Sequence, residues 1–214
     1  MSLRRSRARS SLPLRRYAMT AVFTWGDELP RLLGRRIELR PVVDEDAPAL
    51  LAIFGDPEVI KYWTSPPLRD LAGAEGLIGE IREKFRSRRV FQWGIVILET
   101  GGLVGTCGLG SVFLAHRRAE VGFVLRRDMW GRGLATEALR VLLAFCFDKL
   151  NLHRIEADVD PQNQRSLRLL EKQGFQREGL ARERWHHLGE VRDGVILGLL
   201  RRDWPRDAVQ PIGV

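Results

Sequence analysis

Hydrophobic and polar positions follow two periods along this chain. Alternation over RRIELRPV (35–42) predicts a strand, and so do FQWGIVILE (91–99), LVGTCGLGSVF (103–113) and RAEVGFVLR (118–126). Glu99-Thr100-Gly101-Gly102 between the second and third marks a hairpin turn. HRIEADV (153–159) predicts another strand, and residues 175–187 and 190–200 around Gly189 a final pair. Helical spacing appears elsewhere. DEDAPALLAIFGD (44–56) places acidic residues in its first turn and Gly55 near its end. Residues 70–87 suit a charged amphipathic helix, weakened by Gly73, Gly76 and Gly79. Leu134, Ala138, Leu142 and Phe145 recur at helical spacing, and NQRSLRLLEKQGF (163–175) is a short helix stopped at Gly174. The order is an antiparallel meander, a glycine turn, a helix, a strand, a helix and a hairpin. It predicts a mixed α/β (α+β) fold with flanking helices on a central sheet of about seven strands.

The glycine turn lies in DMWGRGLATEAL (128–139), where the strand pattern stops and the helix pattern starts. The first N–H groups of that helix lack intrahelical partners, and glycines there let an anion approach them closely. Arg126, Arg127 and Arg132 add positive charge. An ordinary strand-to-helix turn has the same look. A Rossmann dinucleotide site shares the strand–GxG–helix–strand order, with Glu156 or Asp158 in place for a ribose. Three features oppose it: Thr136 holds the third glycine position, the turn follows antiparallel hairpins, and only one strand–helix unit comes after it. A Walker-type loop is excluded because no GK[ST] closes it.

Composition changes the picture in two places. Cys107 and Cys146 both lie in apolar segments, which reads as buried thiols in a reducing compartment rather than a disulfide framework. No metal-ligand spacing appears, so no metal is expected, and the adjacent His186 and His187 would point to opposite faces of a strand. The formal net charge of +8 belongs mostly to residues 1–18, which hold six arginines and no acid. The remaining 196 residues carry 29 basic and 27 acidic side chains. Three readings of this basic tail stay open. It is a disordered arm attracted to RNA or other polyanions, an organellar transit peptide, or an upstream extension of a frame that starts at Met19. No apolar run approaches the roughly 20 residues of a membrane span.

WGRGLATEAL, NLHRIEADVDPQNQRSLRLLEKQGFQREGLARER and GEVRDGVILGLLRRDW resemble, in that order, the GNAT N-acetyltransferases. The similarity is to the branch named for the RimJ and RimL ribosomal-protein N-terminal acetyltransferases. It covers roughly residues 31–204, and its most specific part is the pair 128–139 and 161–179. The resemblance implies a sheet splayed in its middle and a domain over 35–204. Around that domain lie a tail at 1–18, a lead-in at 19–34 and a C-terminal tail at 205–214. It also implies acetyl-CoA as cosubstrate and a primary amine as acceptor. The acceptor would be a protein N-terminus or a small molecule such as a polyamine, an antibiotic or an amino acid. A cytoplasmic monomer or homodimer is expected, with weak nucleic-acid or ribosome contact through the tail.

By the same resemblance, Trp130, Gly131, Arg132, Gly133, Leu134, Ala135 and Thr136 cradle the cofactor's diphosphate, assisted by Arg126. Phe123 and Val124 pair with the pantetheine arm. Asn163 meets its amides, and Ser166 lies near the thioester sulfur. Asn163 is equally a good N-cap, and Ser166 a surface helical serine. Asp128 departs from the Gln/Arg usual at the first loop position, where an acid is unhelpful unless it points away. The branch places a glutamate base after the "EG" turn, but the gapless match falls on Trp185, with Glu183 nearby.

The chemistry asks for a base and for a donor to the acetyl oxygen. An α-amine of pKa about 7.7–8.0 is roughly one-third neutral at pH 7.5, against roughly 0.1% for a lysine. Glu120 lies on the strand that should line the cleft, and alternation puts Glu120, Gly122 and Val124 on one face. It is the candidate base, unless it merely faces solvent or pairs with Arg118. A backbone N–H near Val124 is the candidate oxyanion donor. KYWTSPP (61–67) and RERWHH (182–187) suit the walls of an acceptor pocket. Two other functions fit the same turn: a nucleotide-dependent (NAD or NADP) oxidoreductase, and a non-catalytic acyl-CoA or nucleic-acid binding module.

Overall fold

The computed structural model describes residues 23, 25–63, 65–187 and 189–205. The basic tail, most of the C-terminal tail and Thr64 lie outside them. Eight strands form one sheet in the order β1-β2-β3-β4-β5-β6-β8-β7. They are β1 (Leu32–Leu33), β2 (Ile37–Arg40), β3 (Phe91–Ile97), β4 (Leu103–Phe113), β5 (Arg118–Leu125), β6 (Arg154–Val159), β7 (Gln176–His187) and β8 (Glu190–Leu200). Seven match the alternating stretches. The eighth, β1, is two residues long and carries no readable period.

Every neighbouring pair is antiparallel except β5 and β6. That parallel pair needs a crossover, supplied by α4 (Leu134–Ala144) and its π-helical extension Phe145–Lys149. The pairing is short: Arg118 faces Arg154, Ala119 faces Ile155 and Glu120 faces Glu156. Beyond that point β5 continues to Leu125 and β6 to Val159 without a shared ladder. The sheet therefore splays in its middle.

Helices cover the two faces unequally. On one face α4 and α5 (Gln164–Lys172) bury Leu139, Leu142 and Leu167 against Trp93, Ile155 and Leu197. On the other, α1 (Ala47–Phe54), α2 (Pro57–Ile60) and α3 (Leu71–Arg86) bury Leu50, Ile53 and Ile78 against Val96, Leu103 and Val124. This second cluster draws on no residue of β6, β7 or β8. The even-numbered face of β6, with Arg154, Glu156 and Asp158, is left polar while Ile155, Ala157 and Val159 enter the core. β3 is buried on both sides over Trp93–Val96, which explains its nearly continuous apolar run.

The glycines of α3 do not break it. Asp70 caps the helix by accepting from Gly73 N at 2.9 Å, and Gly76 and Gly79 face open space on the solvent side. α2 is a single turn capped by Asp56, too short to leave a period in the sequence.

One long-range contact ties the start of the domain to α4. Glu137 Oε1 accepts from Arg35 N and Arg36 N, both at 2.7 Å, and Oε2 accepts from Arg36 Nε at 2.8 Å. Burial works against this charge, but the three donors outweigh it and hold the carboxyl below the ordinary glutamate range. Gly34 makes the room, since a Cβ there would lie 2.9 Å from Glu137 Oε1. Glu137→Ala should leave two backbone N–H groups unpartnered and cost about 1–3 kcal/mol. The midpoint of urea unfolding measures it; a midpoint equal to the parent's would show that water replaces the carboxylate freely.

Candidate active site

The glycine turn is built from the end of β5. Trp130 Nε1 donates to Leu125 O at 2.8 Å, which folds the chain back after a 3₁₀ turn at Arg127–Met129. Gly131 (φ 76°) and Gly133 (φ 77°) are both left-handed, and Gly133 is the N-cap of α4. No side chain caps this helix. A Cβ at Gly131 would meet nothing within 4 Å, and one at Gly133 would meet Arg36 Nη2 at 3.5 Å. The glycines are thus required by torsion rather than packing, and the ground above them is open. The first N–H groups of α4, at Leu134, Ala135 and Thr136, are available to an anion there.

The charges around the turn differ from the sequence reading. Arg126 grips Asp128 through two hydrogen bonds, at 2.6 and 3.0 Å, and holds its carboxyl below the usual range. The acid at the departed position is neutralised locally, and the charge of Arg126 is spent in doing so. Arg36 enters instead, donating to Arg132 O at 3.0 Å beside Gly133. Nothing local in the sequence could reveal a partner so distant in the chain. Arg165, from the first turn of α5, stacks its guanidinium 4.8 Å from the Trp130 ring centroid.

Arg126 N donates to Val104 O, so the even-numbered backbone groups of β5 point toward β4. The Leu125 carbonyl, taken by Trp130, points the other way. By the two-residue period, the Phe123 N–H and C=O face the splay, and the Val124 N–H does not. The expected donor near Val124 therefore moves one residue, to Phe123. The Val124 side chain is buried in the second core cluster.

Asn163 is the N-cap of α5, its Oδ1 accepting from Ser166 N at 3.2 Å. Ser166 is half-buried at the start of that helix. The same turn meets the first helices: Tyr62 Oη donates to Gln162 O at 3.3 Å, and Arg192 Nη1 donates to Lys61 O at 3.1 Å and Asp160 Oδ2 at 3.3 Å. Residues 61–62 and Arg192 of β8 thus meet at the β6–α5 turn.

Glu120 lies half-buried where β5 parts from β6. Ser111 Oγ donates to it at 3.4 Å. Burial, chiefly, pushes its pKa above the ordinary glutamate value. Asp158 adds to the effect, Ser111 and Arg184 oppose it, and Glu156 adds a little. Arg118 does not pair with Glu120; it donates to Glu156 instead. Glu156 also accepts from Arg154 at 2.8 Å, and Arg154 continues to Glu178. Asp158 is taken by Arg184 and Asp160 by Arg192. Among the described residues, Glu120 is the carboxylate of this floor that forms no salt bridge. Glu183, by contrast, is exposed, and the indole of Trp185 donates to Asp158.

The cysteines are inert here. Both are buried and unpaired with each other, and desolvation pushes both thiols far above neutral pH. Among the described residues, no group of three or more His, Cys, Asp or Glu is arranged to hold a metal ion. No helix among them is long and apolar enough to cross a membrane.

Known proteins are similar to this chain in sequence and in fold. The family model described as "Acetyltransferase (GNAT) domain" matches residues 36–176. N-acetyltransferase p20 of Bacillus licheniformis, whose activity is uncharacterised, is 37% identical over 173 residues, covering 81% of this chain and 97% of that protein. The ribosomal protein uS5-alanine N-acetyltransferase of Escherichia coli is 29% identical over 181 residues, covering 81% and 92%. The structure of Mycobacterium smegmatis RimJ in complex with CoA-disulfide superposes with a TM-score of 0.76 at 27% identity, over 83% of this chain and 90% of that one. The chain thus belongs to the GNAT family of N-acetyltransferases, on the side of its RimJ-like members.

Proposed function

We propose that this enzyme transfers acetyl from acetyl-CoA to the α-amine at a protein N-terminus, with Glu120 as general base. The observation that carries the reading is Glu120 itself: a half-buried carboxylate at the mouth of the splay, without a cation partner on a floor whose other acids have one. The coenzyme supplies an activated acetyl thioester. The backbone N–H groups from Leu134 to Thr136, with Arg132, would hold its diphosphate. The Phe123 groups would pair with the pantetheine arm and offer an N–H to the acetyl oxygen. Asn163 keeps an amide NH₂ for the same arm while its Oδ1 caps α5. Ser166, half-buried at the start of α5, would lie near the sulfur.

The strength of the base favours one acceptor class. A carboxylate, even one raised by burial, is a weak base beside a lysine of pKa about 10.4 but well matched to an α-amine of about 7.7–8.0. The uS5 alanine acetyltransferase and RimJ relatives point to the same class. A cytoplasmic location fits it. A supporting role for the arginines of residues 1–18 at a ribosome or RNA lies outside the described residues.

Glu120→Gln keeps size and removes the charge. It should lower kcat by about 10²–10⁴-fold at pH 7.5 on a peptide with a free N-terminal alanine. The deficit should shrink as pH rises, because more amine is then neutral without help. A loss under tenfold, with the acidic limb of the pH–rate profile intact, would assign the cleft to positioning alone.

The same variant tests the electrostatics without turnover. Folded Glu120 holds its proton more tightly than the unfolded chain does, so its contribution to stability is full below the unfolded pKa and is lost as pH rises through the folded one. Glu120→Gln should therefore raise Tm at pH 7.5, with the gain vanishing below about pH 4. A lower Tm at pH 7.5 would contradict the burial cost.

At the glycine turn, Gly133→Val forces a β-branched residue into a left-handed conformation that costs roughly 1–2 kcal/mol. Acetyl-CoA binding by calorimetry should weaken about tenfold while the circular dichroism spectrum is kept. Unchanged affinity in the folded variant would remove the diphosphate from this loop.

A further inference from the structure

Asp158 is two residues beyond Glu156 on the same face of β6, past the point where β5 stops pairing. Its side chain is 5% exposed. It accepts from Arg184 Nε at 2.9 Å and from Trp185 Nε1 at 3.2 Å. Two features make this contact unusual. β6 and β7 are not neighbours, because β8 lies between them, so the bridge passes over β8 at Gly194. A Cβ on Gly194 would sit 2.2 Å from Asp158 Oδ1 and 3.1 Å from Arg184 Cγ. Moreover, adjacent strand residues normally point to opposite faces, yet Arg184 and Trp185 both reach one carboxylate. The reason is a bulge: the register of β7 on β8 shifts between Ala181 and Trp185, Glu183 takes φ 52°, and its N–H donates to Asp193 Oδ1 at 2.8 Å. Positive φ at a non-glycine residue is a costly conformation, and here it aims two donors at Asp158.

The groups around Glu120 are few. Ser111 faces it from β4; Glu156 and Asp158 stand on β6, Arg184 on β7, and Arg118 on its own strand. Arg118, Glu156, Arg154 and Glu178 form a linear, charge-balanced chain of two cations and two anions. Among the described residues, that leaves Glu120 with one further anion and one further cation, Asp158 and Arg184. They act on it with opposite signs.

We propose that Asp158 and Arg184 are positioning residues for Glu120, a bridge thrown over Gly194 that holds one fixed anion and one fixed cation beside the base at the vertex of the splay. This rests on Glu120 being the base, but its test does not. Removing Asp158's charge leaves Arg184's cation unopposed, and the Glu120 carboxylate becomes easier to form. Removing Arg184's charge does the reverse. A bridge that merely holds the hairpin together would produce no such opposition.

The experiment is a ¹³C chemical-shift titration of the glutamate side-chain carboxyls in the full chain, with Glu120 assigned by its loss in Glu120→Gln. The midpoint should fall by about half a unit or more in Asp158→Asn and rise by a similar amount in Arg184→Gln. Arg184→Lys, which keeps the charge, should return it toward the parent. The acidic limb of kcat/KM on the alanine peptide should follow the midpoints. Midpoints that stay put, or move in the same direction in Asp158→Asn and Arg184→Gln, overturn the proposal. If Arg184→Gln does not fold, Asp158→Asn decides alone, and a midpoint that fails to fall overturns it. An acidic limb that survives in Glu120→Gln instead defeats the base assignment, while the titration still judges the bridge.

Discussion

The structure depends on a parallel ladder that stops after Glu120 and Glu156. Had β5 and β6 paired along their full lengths, the sheet would be continuous and its middle filled by backbone hydrogen bonds. Because they part, backbone groups on the facing edges need other partners. The indole of Trp130 takes the Leu125 carbonyl. Phe123 offers the next set, and an extended ligand arm with amides of its own is the natural complement. The splay also puts Glu120 at its vertex, half-buried yet reachable. Cofactor edge and candidate base follow from the same broken pairing.

Charge near the glycine turn is more balanced than its arginines suggest. Asp128 offsets Arg126, and Glu137 offsets Arg36. In the proposed reading, recognition of the diphosphate would therefore fall to the helix start, with Arg132 and Arg127 in support. N–H groups aimed by a helix cannot move to follow a ligand, so the two left-handed glycines have to place them correctly. This is why a torsional change at Gly133 matters although its neighbourhood is open.

Much of this was legible in the sequence. Alternation gave the seven longer strands, helical spacing and caps gave α1, α3, α4 and α5, and the two glycines announced a bare turn. The face shared by Glu120 and Val124 also followed from alternation. What escaped has a physical reason in each case. β1 and α2 are too short to show a period. Side-chain alternation does not tell which edge of a strand a given N–H faces; that depends on the bonding of β5 to β4, which turns the Phe123 N–H, not that of Val124, toward the splay. The hold of Glu137 on Arg35 and Arg36 links positions a hundred residues apart, mostly through backbone N–H groups that every residue has. The bulge at Glu183 carries no glycine to mark it.

β8 illustrates how the uncovered half of the sheet keeps its shape. It bears Gly194 and Gly198 where a strand gains most from side chains, and glycine there weakens a strand. In exchange, Asp158 reaches Arg184 over the first, and Arg154 reaches Glu178 over the second. A Cβ at Gly198 would lie 2.5 Å from Glu178 Oε1, so neither crossing tolerates a side chain beneath it. Partly exposed ion pairs contribute little to stability, and Arg184 is half exposed. Their value is orientational. They fix charges at set places on a face that no helix among the described residues covers, where the proposed acceptor would approach. A helix over that face would stabilise the hairpin better and would block the cleft.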